Sequence, residues 1–232
     1  MDSFLRRLKY YGIGFGIGMV FVFFFFQNRG CSWLPSNRVK NSILERVLVI
    51  SEDENVVLKD KNLTKKDIVN ALNNGSVDFG ESKKHGKLKV YQVDFEKNEK
   101  SIKLFFTLPE ESFICEVNLS AKNAHKVYNT KEGKGNVLRF PNEKNLIFVD
   151  TLASLSCQLK EMKFENNSKL FQNWKQFVQI DFQKSQLSMS PKPEHYFEFK
   201  DKKGNLIGSK SIWYKNKINI SSFVLPYESE CK

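Results

Sequence analysis

LTKKDIVNALNNG, residues 63–75, carries the clearest structural signal in the chain. Thr64 is a typical helix N-cap, and Asp67 stands where a capping box needs an acceptor side chain three residues later. Apolar side chains at Ile68 and Leu72 recur with helical spacing. Gly75 then occupies the position at which helices commonly end. The stretch therefore predicts a helix at 64–74.

Short segments with alternating polarity surround this helix. Pro109-Glu110-Glu111-Ser112 lies between two of them and has the composition of a hairpin turn. A short helical piece is predicted before residue 64, at 55–59, and a polar, glycine-containing loop at 122–136. The predicted strands are 46–50, 88–95, 102–108, 113–119, 146–149 and 155–159.

A polar stretch, Glu165-Asn166-Asn167, marks a change in pattern. Leu170, Phe171, Trp174 and Phe177 beyond it recur with helical spacing, and alternation then predicts strands at 178–182, 195–199, 212–214 and 218–220. This last part is close to the lower size for independent folding, so it is either a small unit of its own or the completion of the preceding sheet. The predicted organisation is a tail and membrane helix at 1–27, a linker at 28–45, an α+β domain at 46–163 and a strand-rich unit at 164–232.

Residues 46–120 resemble the bacterial family known as domain of unknown function 4258. Leu63-Thr64, which opens the helix, and Ala71-Leu72-Asn73-Asn74-Gly75, which closes it before the strands, carry the resemblance. The whole chain resembles a membrane-anchored branch of that family, in which an aromatic-rich span precedes Cys31-Ser32-Trp33-Leu34-Pro35. The resemblance implies a helix beside antiparallel strands, similar to small toxin-like ribonuclease folds, and it implies no settled activity.

The N-terminal region predicts a single transmembrane helix. Seven of the 21 Phe lie in the first 26 residues, and no charge occurs between Tyr10 and Phe26. A helix of that length spans roughly 25 Å, which side chains at its ends can extend to the ~30 Å hydrocarbon core. The membrane flanks are Arg6, Arg7 and Lys9 before the apolar run and Arg29 after it.

Two other interpretations of this region stay open. A cleaved signal peptide fits the basic start, but Gln27-Asn28-Arg29 has no small-x-small cleavage pattern. A lipoprotein attached at Cys31 fits Gly30-Cys31, although Asn28 and Arg29 are unusual before such a site. A retained anchor is the leading interpretation, and the dense N-terminal cations favour a soluble domain outside the cytoplasm of a bacterial inner membrane.

Gly12, Gly14, Gly16 and Gly18 form two interleaved small-xxx-small pairs in the apolar run. Such spacing allows helix backbones to approach closely, so it predicts a packing face for homo-association in the membrane. Frequent glycine in membrane helices is the alternative explanation.

Motifs for catalysis or metal binding are scarce. The three His (His85, His125 and His195) are isolated, and HxH, HExxH and CxxC patterns do not occur, so the sequence predicts neither a metal site nor a cofactor. A ribonuclease-like site would need cations and a general base, and the only candidates are Lys83, Lys84 and His85, with Arg139 as a further cation. A solvated turn is the favoured explanation of Lys83-Lys84-His85.

The charge and the cysteines restrict the choice of partner and compartment. Net charge is +11, distributed as +2 in 1–27, 0 in 28–60, +5 in 61–160 and +4 in 161–232. Because no segment concentrates it, nucleic acid is not the expected partner. Cys115 and Cys157 lie on apolar faces of predicted strands and are expected to be small buried residues, although four cysteines allow three pairings.

The sequence as a whole therefore predicts an α+β protein: an N-terminal transmembrane helix, then a helix packed on an antiparallel sheet, with a strand-rich C-terminal extension. The expected role is a non-catalytic interaction or structural module, with the lipid bilayer and another protein as partners. A membrane-tethered ribonuclease-like toxin domain is the alternative.

Overall fold

The structure, a computed structural model, describes residues 2–27, 34–110, 112–120, 133–141, 146–149, 154–187 and 192–231. The chain divides into two compact units, one that ends at Arg38 and one that begins at Val39. Arg29, Cys31 and His125 lie outside the described residues, so the predictions made for them are not addressed.

The first unit contains one long helix, α1 (Asp2–Gln27). Its segment Arg6–Phe24, 19 residues, is long and apolar enough to cross a membrane, and none of it is buried in the protein. Arg6, Arg7 and Lys9 are exposed near its N-terminal end. Apart from the backbone of the helix itself, none of the described atoms lies within 4 Å of a Cβ built on Gly12, Gly14, Gly16 or Gly18, so these positions are uncovered in the part of the chain that the structure describes.

The predicted α+β class is confirmed, and the sheet is larger and more mixed than the sequence predicted. Eleven described strands form one sheet in the order β2-β3-β4-β5-β1-β6-β8-β9-β10-β11-β7. Strands from both sides of the boundary predicted near residue 163 belong to it. The helices after α1 are α2 (Pro35–Leu44), α3 (Glu52–Asp60), α4 (Lys65–Asn74), α5 (Ser154–Glu161) and α6 (Asn167–Phe177), and the strands are β1 (Val47–Ile50), β2 (Ser76–Lys83), β3 (Leu88–Lys97), β4 (Lys100–Pro109), β5 (Ile114–Asn118), β6 (Lys134–Val137), β7 (Leu146–Phe148), β8 (Gln179–Asp181), β9 (Glu194–Lys200), β10 (Leu206–Trp213) and β11 (Ile218–Val224).

The topology repeats within this sheet. The first copy, β1-α3-α4-β2-β3-β4-β5, and the second copy, β7-α5-α6-β8-β9-β10-β11, have the same order of elements along the chain. In each copy four strands form an antiparallel meander, and the last of them pairs in parallel with the first strand of the copy. The described part of the second unit is therefore two tandem copies of one module, joined by β6.

Local hydrogen bonds repeat with the topology. The first helix of each copy ends in the same way: a residue with positive φ, Asn62 or Lys163, precedes a buried apolar residue, Leu63 or Phe164. The amide of Leu63 donates to the Leu58 carbonyl at 2.9 Å, and the amide of Phe164 donates to the Leu159 carbonyl at 3.0 Å. In both copies these bonds close the helix and turn an apolar side chain back onto it.

A second repeated feature is the motif Asp-Phe-x-x-Ser, which occurs at 78–82 and at 181–185 and was not predicted to have a structural role. The carbonyl of Asp78 accepts from the hydroxyl of Ser82, whose oxygen accepts from the Gln92 amide at 3.0 Å. Asp181, Ser185 and Tyr196 repeat this arrangement, with the Tyr196 amide 2.8 Å from the serine oxygen. The motif thus ties the first meander strand of each copy to the next strand at a point where direct ladder pairing is interrupted.

Two apolar cores are formed, one centred on each copy, and the second also contains residues of β1 and β5 such as Val49 and Ile114. Leu48, Ile50, Ile68 and Leu72 belong to the core of the first copy, which lies under α3 and α4. The core of the second copy contains most of the large aromatic side chains, including Trp174, whose ring centroid lies 5.8 Å from that of Phe197 and 5.5 Å from that of Phe199. The excess of Phe outside the membrane helix therefore fills this core.

A strap of residues 138–141 follows β6, which pairs with both β1 and β8. The ring centroid of Phe140 lies 5.9 Å from that of Phe171 and 5.7 Å from that of Trp213, so the strap crosses over the second copy. The Arg139 guanidinium donates to the carbonyls of Leu44 at 3.0 Å and Lys215 at 2.6 Å. These bonds join the start of the first copy to a turn of the second.

Several predictions need correction. Residues 155–159 form part of helix α5 and not a strand, because Leu155 and Leu159 are both buried and lie one helical turn apart. The predicted linker contains α2, which begins at Pro35 because proline is well suited to the first helical position. The predicted loop at 122–136 contains the first part of β6, and strand β2 was not predicted.

Gly75 ends α4 as predicted, for a different reason from the one expected. Its backbone is extended, with φ −68° and ψ 167°, so no left-handed conformation is required. A Cβ at this position would lie 2.6 Å from the Ala71 carbonyl oxygen, 2.7 Å from the Asp94 carbonyl oxygen and 2.9 Å from Val93 Cγ1. Glycine is needed because β3 passes close to the end of the helix.

We expect Gly75→Ala to lower the free energy of unfolding by about 2 kcal/mol, because two of the obstructing atoms are backbone oxygens that cannot move independently. Urea unfolding of the full chain in a mild detergent, followed by tryptophan fluorescence, measures the change. Gly80→Ala is the matched control, since its Cβ meets only the Asp78 side chain, at 3.2 Å. Equal losses in the two variants would contradict this account of Gly75.

The capping box predicted at Thr64 and Asp67 is confirmed. The Thr64 hydroxyl oxygen accepts from the Asp67 amide at 3.3 Å, and the Asp67 carboxylate accepts from the Thr64 amide at 2.7 Å. We expect Thr64→Ala to lower the free energy of unfolding by about 1 kcal/mol, since it removes one acceptor from the helix start. Thr64→Ser keeps the oxygen and should unfold like the wild type; a loss as large as that of the alanine variant would refute the capping explanation.

Candidate binding cleft

A cleft of about 900 Å³ opens on the first copy, between the end of α3 and the hairpin that joins β3 to β4. Asp60, Lys61 and Asn62 form the helical side. Leu119, which follows β5, and Ile102 contribute apolar surface. The remaining lining residues, on the hairpin side, are Lys97, Asn98, Lys100, Ser101 and Lys103.

Two tight backbone turns shape this cleft. Asn98 and Glu99 both have positive φ, 50° and 62°, and connect the paired residues Lys97 and Lys100. Positive φ at both central residues is typical of the two-residue turns that match the twist of a hairpin. Asn62, with φ 55°, ends α3 opposite the hairpin. Both walls are therefore set by local backbone geometry.

Lys97 connects the two walls. Its ammonium group donates to the Asn62 carbonyl at 2.7 Å and to the Asp67 carboxylate at 2.8 Å. Burial alone would raise the pKa of Asp67, but hydrogen bonds from Lys97 and Thr64 outweigh it and lower the pKa below its usual value. Lys97 therefore holds the two walls of the cleft together, and the Asp67 carboxylate balances its positive charge.

Three other lysines leave the cleft positive. Lys61, Lys100 and Lys103 are exposed, and their ammonium groups have no hydrogen bond or ion pair with the part of the chain that the structure describes. Asp60 is the one acidic side chain in the lining. A group of ammonium ions with a single carboxylate suits an anionic ligand and offers too few oxygen ligands for a hard metal cation.

The residues proposed for a ribonuclease-like site are not brought together with Arg139. Lys83, Lys84 and His85 are exposed at the hairpin between β2 and β3, at the first-copy edge of the sheet. The loop that contains them joins two antiparallel strands. Arg139 lies in the strap over the second copy, where it is half-buried and bonded to backbone carbonyls. The cluster therefore lacks its fourth member.

His195 is a core residue on β9 with no exposed surface. Its ring centroid lies 6.3 Å from that of Phe113 and 6.2 Å from that of Phe197, and neither ring nitrogen has a partner among the described residues. Burial lowers the pKa of His195 to about 4. The imidazole is therefore neutral near pH 7, and it is not placed in a cleft where it could act on a substrate.

A second polar cluster lies beside β8 and β9. The Glu198 carboxylate accepts from Lys134 and from Lys184, the latter at 2.8 Å, and Lys184 also pairs with Asp181 at 3.2 Å. The hydrogen bond that Lys184 donates to Glu198 raises the pKa of the lysine. Because these charges satisfy each other and link β6, β8 and β9, we assign this cluster to stability.

The cysteines follow a pattern that the sequence left open. Cys115 is buried on β5 as predicted, whereas Cys157 lies on the exposed side of α5 and is bonded to Cys231. The carboxylate of Glu161 lies close to both sulfur atoms. Because the disulfide occupies the two thiolates, the group is a covalent staple for the C-terminal tail and not a metal site in this state.

The sequence did not predict the cleft because its lining residues come from three distant segments, 60–62, 97–103 and Leu119. The run Lys97-Asn98-Glu99-Lys100 contains a recognisable turn signal, and lysines on both sides of a turn are usually solvated. Lys61 joins them only through the fold.

No protein-family model, no curated protein and no solved structure matches the chain.

Proposed function

We propose that this chain is a single-pass bacterial membrane protein whose soluble part binds another protein and performs no catalysis. The observation that carries the proposal is the lysine-lined cleft of the first copy, whose lining residues combine four ammonium groups with a single carboxylate in an open surface depression. The apolar helix Arg6–Phe24 supports the anchor.

The Cys157–Cys231 disulfide supports a location of the soluble part outside the cytoplasm. Disulfides persist in oxidising compartments and are rare where thiols are kept reduced. This agrees with the orientation suggested by the basic N-terminal flank, Arg6, Arg7 and Lys9.

Two measurements test the anchor and its sidedness. The full chain should stay with membranes after an alkaline wash, and a chain lacking residues 2–27 should not. Protease added to intact spheroplasts should digest the soluble part. Release of the full chain by the wash would refute the anchor, and mass spectrometry of the mature N-terminus would reveal a cleaved signal or a lipid on Cys31 instead.

Crosslinking in intact membranes tests the binding function. We expect a discrete protein adduct that forms with the full chain and is identified by mass spectrometry. Turnover of a nucleic acid or small substrate by the purified chain, abolished by His85→Ala, would overturn the non-catalytic proposal in favour of the ribonuclease-like alternative.

A further inference from the structure

The residues that line the cleft of the first copy have counterparts at equivalent positions of the second copy. Strand pairing aligns Asp94 with Glu198 and, in the following strand, Lys103 with Gly208. The matching helix ends align Asp60 with Glu161 and Lys61 with Met162. The second copy therefore shows what a cleft of this shape accommodates.

In the second copy the corresponding position holds the C-terminal tail of the chain itself. The Glu161 carboxylate accepts from the Ser229 hydroxyl at 2.8 Å and from the Glu230 amide at 2.9 Å. Tyr227 packs against the core of the second copy, and the Lys203 ammonium lies 5.9 Å from its ring centroid. Cys231 fixes the end of the tail to α5. A tail segment without helix or strand structure thus binds through one carboxylate and one aromatic side chain.

The first copy keeps the carboxylate and changes the surrounding charge. Asp60 stands at the position of Glu161 and is exposed in the cleft. The alignment places Lys61 where the second copy has Met162, Lys100 where it has Asn205 and Lys103 where it has Gly208. Ile102 and Leu119 retain apolar surface for an apolar side chain.

We propose that the cleft of the first copy binds an extended acidic peptide segment of another protein, in the manner in which the second copy holds its own tail. Asp60 accepts a backbone amide of the segment, an aromatic side chain covers Ile102 and Leu119, and Lys61, Lys100 and Lys103 pair with carboxylates. The inference rests on the proposed binding function and specifies the chemistry of the partner.

The tail supplies the probe for a direct test. A fluorescent peptide, LPYESES, reproduces residues 225–231 with serine in place of the cysteine, and LPYKSKS is its charge-reversed counterpart. Anisotropy with the full chain in detergent, its disulfide intact, should show binding of the acidic peptide and roughly tenfold weaker binding of the basic one. Because the second copy is occupied by its tethered tail, binding reports the first copy.

Variants separate a built cleft from general attraction by positive charge. Lys61→Glu/Lys100→Glu/Lys103→Glu should raise the Kd of LPYESES roughly tenfold or more, equivalent to about 1.4 kcal/mol. Lys83→Glu/Lys84→Glu/Lys210→Glu changes the net charge equally at exposed sites and should leave the Kd within about twofold, as expected for distant, screened charges. Equal weakening in the two triple variants would overturn the proposal.

Asp60→Asn gives the sharpest discrimination. If Asp60 accepts a peptide amide, the neutral side chain weakens binding severalfold, because a charged acceptor is lost. If lysines merely attract an acidic peptide, removing a negative charge strengthens binding. Tighter binding by Asp60→Asn, or no binding of LPYESES at about 1 mM peptide, would refute this inference. A crosslinked partner that is retained by the cleft variants would refute it while leaving the proposed binding function intact.

Discussion

We expect the Cys157→Ser/Cys231→Ser variant to unfold with a free energy about 4 kcal/mol lower than that of the wild type. The disulfide closes a segment with a sequence separation of 74 residues, and closure of a loop that long removes much of the entropy of the unfolded chain. The bond also holds the tail next to Glu161, so its loss exposes the apolar surface under Tyr227. Urea unfolding of the full chain in detergent, followed by the fluorescence of buried Trp174 and Trp213, measures the difference.

Reduction provides the control for this prediction. Dithiothreitol should shift the unfolding midpoint of the wild type toward that of the double serine variant and should leave the variant unchanged. Cys115 is buried on β5, and burial raises the pKa of its thiol, so it is not expected to exchange with the pair. A wild type whose midpoint is insensitive to reductant would contradict the stabilising role of the bond.

The second large effect is a loss of stability in mild acid caused by His195. Burial lowers the pKa of His195 in the folded protein to about 4, from 6.5 in the unfolded chain. Between these values the unfolded chain binds more protons, so the free energy of unfolding falls as pH decreases from 6.5 to 4. The complete loss from this residue is about 3 kcal/mol.

His195→Phe tests this assignment, because phenylalanine suits the neighbourhood of Phe113 and Phe197 and does not titrate. The variant should lose stability much less steeply than the wild type between pH 6.5 and 4.5. Asp67 and Glu198, whose pKa values are lowered despite the opposing effect of burial, lose their contribution mainly below this range and do so in both proteins. Parallel pH profiles would show that another group is responsible.

The parts of the fold that local patterns determine could be predicted. Thr64 and Asp67 stabilise a helix start through bonds between near neighbours, so the stretch 63–75 was read correctly. Alternation identified β3 and β4, whose buried apolar side chains face the core of the first copy, and β5, whose five residues are all buried. The strand predicted at 155–159 was wrong because two leucines four residues apart fit both a short strand and one turn of a helix.

The duplication could not be predicted from local patterns, because the two copies have similar backbone geometry but different side chains at most corresponding positions. Thr64 and Asn166 cap corresponding helices, and Leu63 and Phe164 fill corresponding positions, yet neither pair is identical. The candidate site escaped prediction for a related reason. Asp60 and Lys61 face a hairpin more than thirty residues later in the chain, and only the sheet brings them opposite Lys100 and Lys103.

The strap after β6 limits how this chain can vary in length. Between Val137 at the end of β6 and Leu146 at the start of β7, the sheet order interposes β8, β9, β10 and β11. Five strand spacings of about 4.8 Å amount to roughly 24 Å, and the nine residue steps available reach at most about 30 Å. The number of residues between the two strands is therefore close to the minimum that can join them, and deletion of two residues, which cuts the reach to roughly 23 Å, would detach β7 from the edge of the sheet.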